Sequence, residues 1–343
     1  MKHAKKLRKK LYALKQSEKA VFVHGIGKRK TPLQKSIETL EEYLSRLKKY
    51  NHQIHICGRR NSYSKTDQDA TFMRMKGDAM GNGQLKPAYN LQHGVDSEYI
   101  TWLTIGPQPT DTTTLIPFLK DTEEHLKFKH KNITADAGYE SEENYVFLEE
   151  NGQLSYIKPA NHEISKTRKY RDGIGKIENM EYDAESDAYI CRNAKRMAPD
   201  HVRHSKSKTG YVSEKTVYKC GGCSGCPYKA ECIKGNNCKT PLEEGTKTLQ
   251  VARTFLKYRQ EDLERILTDE GIVFRMNRSI QAEGPFGALK QGMQFRRYVS
   301  KGTSNVLAES ILLAMARNIN KLHNKIQKGR TGTHLFPVKS AWF

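Results

Sequence analysis

Residues 132–141, Asn-Ile-Thr-Ala-Asp-Ala-Gly-Tyr-Glu-Ser, read as a short strand that ends on a carboxylate. The strand-like lead-in 132–135 delivers Asp136, and the small residues Ala137 and Gly138 turn the chain at once. Asp is a preferred helix N-cap, so Asp136 serves the next helix in one reading. In the other it holds a metal ion, with Gly138 letting a substrate backbone come close and Tyr139 supporting the site. Upstream, 86–95 and 98–105 read as two strands joined by Asp96-Ser97, a hairpin signal. Asp111 opens a helix with Leu115, Phe118 and Leu119 on its apolar side, running to about Lys127. Downstream, a helix is expected from about Ser141 to Glu149 and a short strand at Tyr156-Ile157. Strands alternating with helices make this an α/β chain.

From about 161 to 248 lysine, arginine and turn residues are frequent and the cysteines gather. Five of the seven cysteines lie between Cys220 and Cys238. Cys220, Cys223, Cys226 and Cys232 form a C-x2-C-x2-C-x5-C run, with Cys191 upstream. Two-residue gaps turn neighbouring thiolates toward one metal, which suits a structural tetrahedral Zn2+. Cysteines at such gaps also suit an iron–sulfur cluster, and uncoordinated thiols are the bland alternative. Regular structure resumes with a helix near 254–267, a link through Phe274, the stretch 275–302 and a last helix over about 304–325. The tail 327–343 is expected to be irregular.

The chain begins in a short basic helix at 1–15 and an apolar run, 20–24, with strand character. Thr31-Pro32 then starts a helix with Leu33, Ile37, Leu40, Leu44 and Leu47 at alternating four- and three-residue spacings, a packing stripe. Net charge is the loudest bulk property: 59 Lys and Arg against 38 Asp and Glu leave +21. Residues 1–65 alone hold 18 basic and 4 acidic side chains. Such an excess favours a polyanion, and nucleic acid is the expected one. Mean hydropathy is −0.77 and no apolar run approaches a membrane span, so a cytoplasmic, nucleoid-associated protein is expected. No aromatic-rich strand motif favours RNA.

Glu283 sits in 278-RSIQAEGPFGALK-290, with Arg278 five residues before it and Lys290 seven after. Seven helical residues make two turns, which puts Glu283 and Lys290 on one face beside a phosphate; a solvated helix carries the same pattern. Carboxylates from separate elements that converge on one point suit Mg2+ or Mn2+, hard ions that prefer oxygen. Two such ions roughly 3.5–4 Å apart stabilise the entering and leaving oxygens of phosphoryl transfer.

The run 136-DAGYES-141, the stretch 278–298 followed by Lys301-Gly302, and residues 58–100 together resemble the bacterial insertion-sequence DDE transposases, in the branch with a cysteine-rich insert. The resemblance runs in order from about Gly58 to Lys325. It implies an RNase H-like catalytic core, a mixed sheet with flanking helices, interrupted by a small cysteine-rich insertion and preceded by basic helices. The implied division is a basic helical linker at 1–57, the first part of the core at 58–160, a metal-binding insertion at 161–250 and the last core helices at 251–326. It implies DNA strand cleavage and joining, with Asp136 and Glu283 holding Mg2+ or Mn2+ and Zn2+ at the cysteines. Arg278, Lys290, Arg296 and Arg297 are implied to touch DNA, and double-stranded transposon ends and target DNA are the implied partners, with a homodimer as the assembly. In the family a first catalytic Asp lies on the first core strand, ahead of the linker. No Asp precedes Asp67 here, so the expectation is a C-terminal fragment that lacks that acid and is weakly active or inactive. The competing expectation is a zinc-containing DNA-binding protein with no chemistry.

Overall fold

The computed structural model describes residues 1–75, 81–233 and 240–332, in two compact units, Met1–Tyr89 and Asn90–Phe343. The tail expected to be irregular lies, from 333 on, outside the described residues, as does Cys238.

The first unit opens with helices α1 (Lys2–Ser17) and α2 (Pro32–Cys57), which pack on each other, followed by strands β1 (Thr71–Arg74) and β2 (Leu85–Ala88), paired antiparallel. Thr31 caps α2, its hydroxyl accepting from the Gln34 N–H at 3.2 Å, and Pro32 takes the first helical position. Ile37 and Leu44 of the expected stripe are buried. The apolar run 20–24 is no strand. The Gln34 side chain instead bonds both backbone groups of Val23, accepting its N–H at 3.0 Å and donating to its carbonyl at 2.7 Å. A buried amide thus takes the place of a neighbouring strand.

The second unit begins with the hairpin β3 (Asn90–Asp96) and β4 (Tyr99–Gly106), turned by Ser97 and Glu98, both at positive φ (50° and 74°). A 3-10 turn at Asp111–Thr113 leads into α3 (Leu115–Leu126). Then come β5 (Asn132–Ala135), α4 (Glu142–Glu150) and β6 (Leu154–Ile157); β5 and β6 pair parallel, with α4 as the crossover. Among the described residues these four strands form two separate pairs, β3–β4 and β5–β6. Leu115, Ala135, Tyr145, Leu148 and Ile157 make the buried centre, with Phe255 and Tyr258 packed against it.

Next is α5 (Arg168–Arg171), then the part richest in cysteine. Where the sequence shows turns, the chain builds strands β7 (Glu181–Asp183), β8 (Ala188–Ile190), β9 (Arg196–Lys206) and β10 (Val212–Cys220), a one-turn helix α6 (Lys229–Cys232), and β11 (Thr248–Val251). The five strands form one antiparallel sheet in the order β11-β10-β9-β8-β7. It has its own core of Tyr189, Met197, Tyr218, Leu249 and Val251. Most of β9 is exposed, so the alternation that reveals a half-buried strand is missing there.

Helix α7 (Arg253–Leu267) is followed after Thr268 alone by α8 (Asp269–Gly287), so Phe274, expected in a link, lies inside a helix, edge-on to Tyr156 at 4.9 Å. Gly271 makes the tight joint: a Cβ there would fall 2.0 Å from the Arg265 carbonyl oxygen. A π-helical turn at Ala288–Gly292 follows, then α9 (Thr303–Gln327). Helix α8 packs on β3, β5 and β6, α7 on β6 and α9 on β4. The Asn318 side chain accepts the Ile100 N–H at 3.0 Å and donates to its carbonyl at 2.8 Å, covering an edge of β4. No helix among the described residues is long and apolar enough to cross a membrane.

Candidate active site

Asp136 follows the last residue of β5 and does what its residue type predicts: Oδ1 accepts the Gly138 N–H at 2.9 Å and caps the turn Ala137–Tyr139. Oδ2 faces elsewhere, toward Arg278 of α8, whose Nη2 lies 3.2 Å away. The cap and the charged pairing therefore coexist in one carboxylate. Ser141 caps α4 separately, accepting from the Asn144 N–H at 3.2 Å.

A second carboxylate reaches the same place. The Asp111 turn and the Asp136 turn are clamped by the buried Asn144 amide, which donates to the Thr112 carbonyl at 3.1 Å and the Tyr139 carbonyl at 2.6 Å. Asp111 Oδ1 accepts from Asn90 Nδ2 at 2.7 Å and Gln92 Nε2 at 3.1 Å, both on β3. Its Oδ2 is turned to Gly138. A Cβ on Gly138 would sit 3.0 Å from Asp136 Oδ1 and 3.2 Å from Asp111 Oδ2. The space that glycine leaves open is thus flanked by two acids. Tyr139 completes the cluster, its hydroxyl donating to Gln92 Oε1. Burial, then the charges of Asp111 and Asp136, push its phenol well above the ordinary tyrosine value. The sequence marked Asp111 only as a helix start; its place beside Asp136 depends on β3 and on Asn144, which no local pattern reveals.

Glu140, the next acid of the motif, is structural. Its side chain is 3% exposed, pairs with Arg259 Nε at 2.6 Å and Nη2 at 2.9 Å, and accepts the Ala160 N–H at 2.8 Å.

Glu283 is exposed on α8. At 100° per residue it lies about 140° round the helix from Arg278, which faces Asp136. Simple α-helical counting, which puts Glu283 and Lys290 on one face, assumes a regular helix between them. Pro285 inside α8 and the π turn at Ala288–Gly292 break the two-turn register, and Lys290 Nζ lies 5.9 Å from the Phe286 ring centre. Lys290, Arg296 and Arg297 are all exposed and stand within one short segment. Among the described residues, no three or more His, Cys, Asp or Glu side chains are placed to hold a metal ion together.

The cysteines gather at one end of the five-stranded sheet. Cys191, Cys220, Cys223, Cys226 and Cys232 all line a cavity of about 20 Å³, with Lys247 among its other walls. All five are free thiols. Cys220 and Cys223 are buried and hydrogen-bonded to each other, and the Lys247 N–H donates to Cys223 Sγ at 3.3 Å. Burial pushes the Cys220 thiol up to about 11.

Residues 190–323 match a family model described as a transposase DDE domain. The match supports an insertion-sequence DDE transposase. It includes the five cavity cysteines, Arg278, Glu283, Lys290, Arg296 and Arg297; Asp111 and Asp136 precede it. No curated protein and no solved structure matches the chain.

Proposed function

We propose that this chain, an insertion-sequence DDE transposase by the transposase DDE domain at residues 190–323, cleaves and joins DNA strands by metal-assisted phosphoryl transfer at Asp136. The observation that carries the reading is the meeting of Asp136 and Asp111 over Gly138, with Arg278 bonded to the first and two amides to the second. Carboxylate oxygens from two separate elements fit a hard divalent ion, Mg2+ or Mn2+. Asp136 and Glu283 would hold it, with Asp111 beside them; Glu283 would turn inward when α8 and the π turn adjust to DNA. A bound divalent ion supplies charge neutralisation at the scissile phosphate. The chain's own part is to place the phosphate. Arg278 aligns Asp136 and meets an incoming non-bridging oxygen, while Lys290, Arg296 and Arg297 grip the backbone further along. The parallel β5–β6 pair, the β3–β4 hairpin and the helix across them support an RNase H-like core running from 58 to 160 and from 251 to 326. The part between 161 and 250 is the insertion, and residues 1–57 a basic linker. Double-stranded DNA is the partner, and a homodimer the assembly that would handle two transposon ends.

Structural Zn2+ at the cysteine cavity belongs to the same reading. Thiolates drawn from Cys220, Cys223, Cys226, Cys232 and their neighbour Cys191 suit zinc.

The exposed Glu283 favours a second reading, a zinc-containing DNA-binding protein without chemistry. Nicking of supercoiled plasmid with Mn2+ separates the two. Cleavage that disappears in Asp136→Asn and Glu283→Gln supports the enzyme; DNA binding with no cleavage under any divalent ion supports the second reading.

A further inference from the structure

The parallel strands β5 and β6 end side by side. Ala135 pairs with Ile157, so Asp136 and Lys158 are the next residues at the same end of two neighbouring strands. Helix α8 crosses that end. Its Phe274 lies edge-on to Tyr156 of β6 at 4.9 Å, and its Arg278 bonds Asp136, just past β5, at 3.2 Å. Arg275 stands between these two contacts, one turn before Arg278 and about 60° round the helix from it. We infer that Arg275, with Lys158 at the end of β6, forms a second phosphate site, which takes a backbone phosphate of the DNA strand held at Asp136. The site rests on the DNA reading above and deepens it by giving the strand a direction, from Asp136 across the end of β6.

The state of Arg275 in the free protein points to a ligand. The side chain is half-buried, and its Nε is wholly buried with no hydrogen-bond partner. Other arginines of α7 and α8 are matched: Arg259 bonds Glu140, Arg265 bonds Asp262 and Arg278 bonds Asp136. A guanidinium N–H drawn out of water costs free energy until an acceptor meets it. A phosphate supplies that acceptor and answers the charge, and its oxygens fit the planar fork of arginine. A change of rotamer is enough to turn the fork toward it. The surroundings are cationic as well. The Ala160 N–H bonds Glu140 at 2.8 Å, which ties the segment after β6 to the turn that follows Asp136. Two residues on, His162 is buried. Burial, then the charges of Lys166, Lys158 and Arg275, hold its ring below the ordinary value, with Glu163 the one opposing charge. Glu163 is shared between Lys158 at 2.6 Å and Lys166 at 3.3 Å. Three cations thus stand round one carboxylate, and an anion is what this end of β6 lacks.

The test uses the whole chain and a fluorescent DNA duplex of random sequence, with affinity measured across a salt series and stability by urea unfolding. Arg275→Met should lower the slope of log affinity against log salt by about 0.9. Its urea midpoint should stay level or rise, because the variant removes a cation that the free protein leaves unmatched. Arg275→Lys should restore most of the slope. A lower urea midpoint in Arg275→Met would assign the side chain to the fold and overturn the site. An unchanged slope in a variant as stable as the parent would overturn it too, and if Lys290→Ala still lowers the slope the DNA reading stands. Should the slope stay unchanged while inorganic phosphate raises the urea midpoint of the parent and not of Arg275→Met, the anion taken is a free phosphate and the assignment to DNA is lost. A parent chain that binds no duplex removes the DNA reading, and the site with it.

Discussion

Asp111 and Asp136 turn carboxylate oxygens toward one point, 3.2 Å and 3.0 Å from where a Cβ on Gly138 would lie. Each keeps its other oxygen bonded to neighbours, Asp111 to the amides of Asn90 and Gln92 and Asp136 to Arg278. The acids are therefore held in place before any ligand arrives, and the space between them exists because residue 138 has no side chain.

Gly138→Ala tests that space directly. The backbone at 138 is not left-handed, so alanine is tolerated there and only the added methyl matters. The carboxylates must give by a few tenths of an ångström, at a cost of about 1 kcal/mol. Mn2+ affinity measured by calorimetry should drop by about tenfold or more, and plasmid nicking with it. Unchanged Mn2+ binding in a folded variant would dissociate the two acids from metal.

The basic side chains should be readable from salt dependence. Replacing Lys290, Arg296 or Arg297 by Ala should weaken binding to any duplex and lower the slope of log affinity against log salt by about 0.9 for each phosphate the variant no longer neutralises. Arg278→Ala should add a loss of nicking, since Arg278 also bonds Asp136. A full set of unaltered slopes would place DNA on another face.

Glu140 and Arg259 tie α7 to the turn that follows Asp136. Arg259→Met leaves a buried carboxylate without its cation and should destabilise the fold by about 3 kcal/mol. Adding Glu140→Gln to that variant should recover part of the loss. Urea unfolding of the three proteins measures both effects.

Two buried groups should oppose each other in acid. Burial, then the nearby Arg317 charge, hold His93 down at about 4. Its unfolded value is near 6.5, so the neutral ring's contribution, about 3 kcal/mol, is complete above pH 6.5 and is lost as pH falls through 4. Asp262 runs the other way. Burial raises it to about 6 although it accepts the Ile157 N–H at 2.8 Å. Its contribution is complete below the unfolded value near 3.9 and is lost as pH rises through 6. Asp262→Asn should make stability climb with pH between 4 and 6.5, and His93→Gln should make it fall, in urea midpoints taken across that window. Slopes equal to the parent's in both variants would contradict the assignment.

Several features were legible in the sequence because they are local. Capping at Thr31-Pro32, the apolar stripe of α2, the β3–β4 turn, the strand running into Asp136 and the C-terminal helix each depend on residues a few positions apart. The cysteine spacing and the charge excess are of the same kind. What only the tertiary structure decided is which distant groups meet. Asp111 reaches Asp136 through β3 and Asn144. Cys191 reaches Cys220 through strand register, and Val23 is bonded by an amide of α2 rather than by a strand. The π turn after Pro285 likewise interrupts the regular helix that seven-residue counting assumes between Glu283 and Lys290. Periodicity and capping record each segment's own preferences. The pairing of groups far apart in the chain is set by strand register and buried hydrogen bonds, which sum contributions from many segments and leave no mark on any one of them.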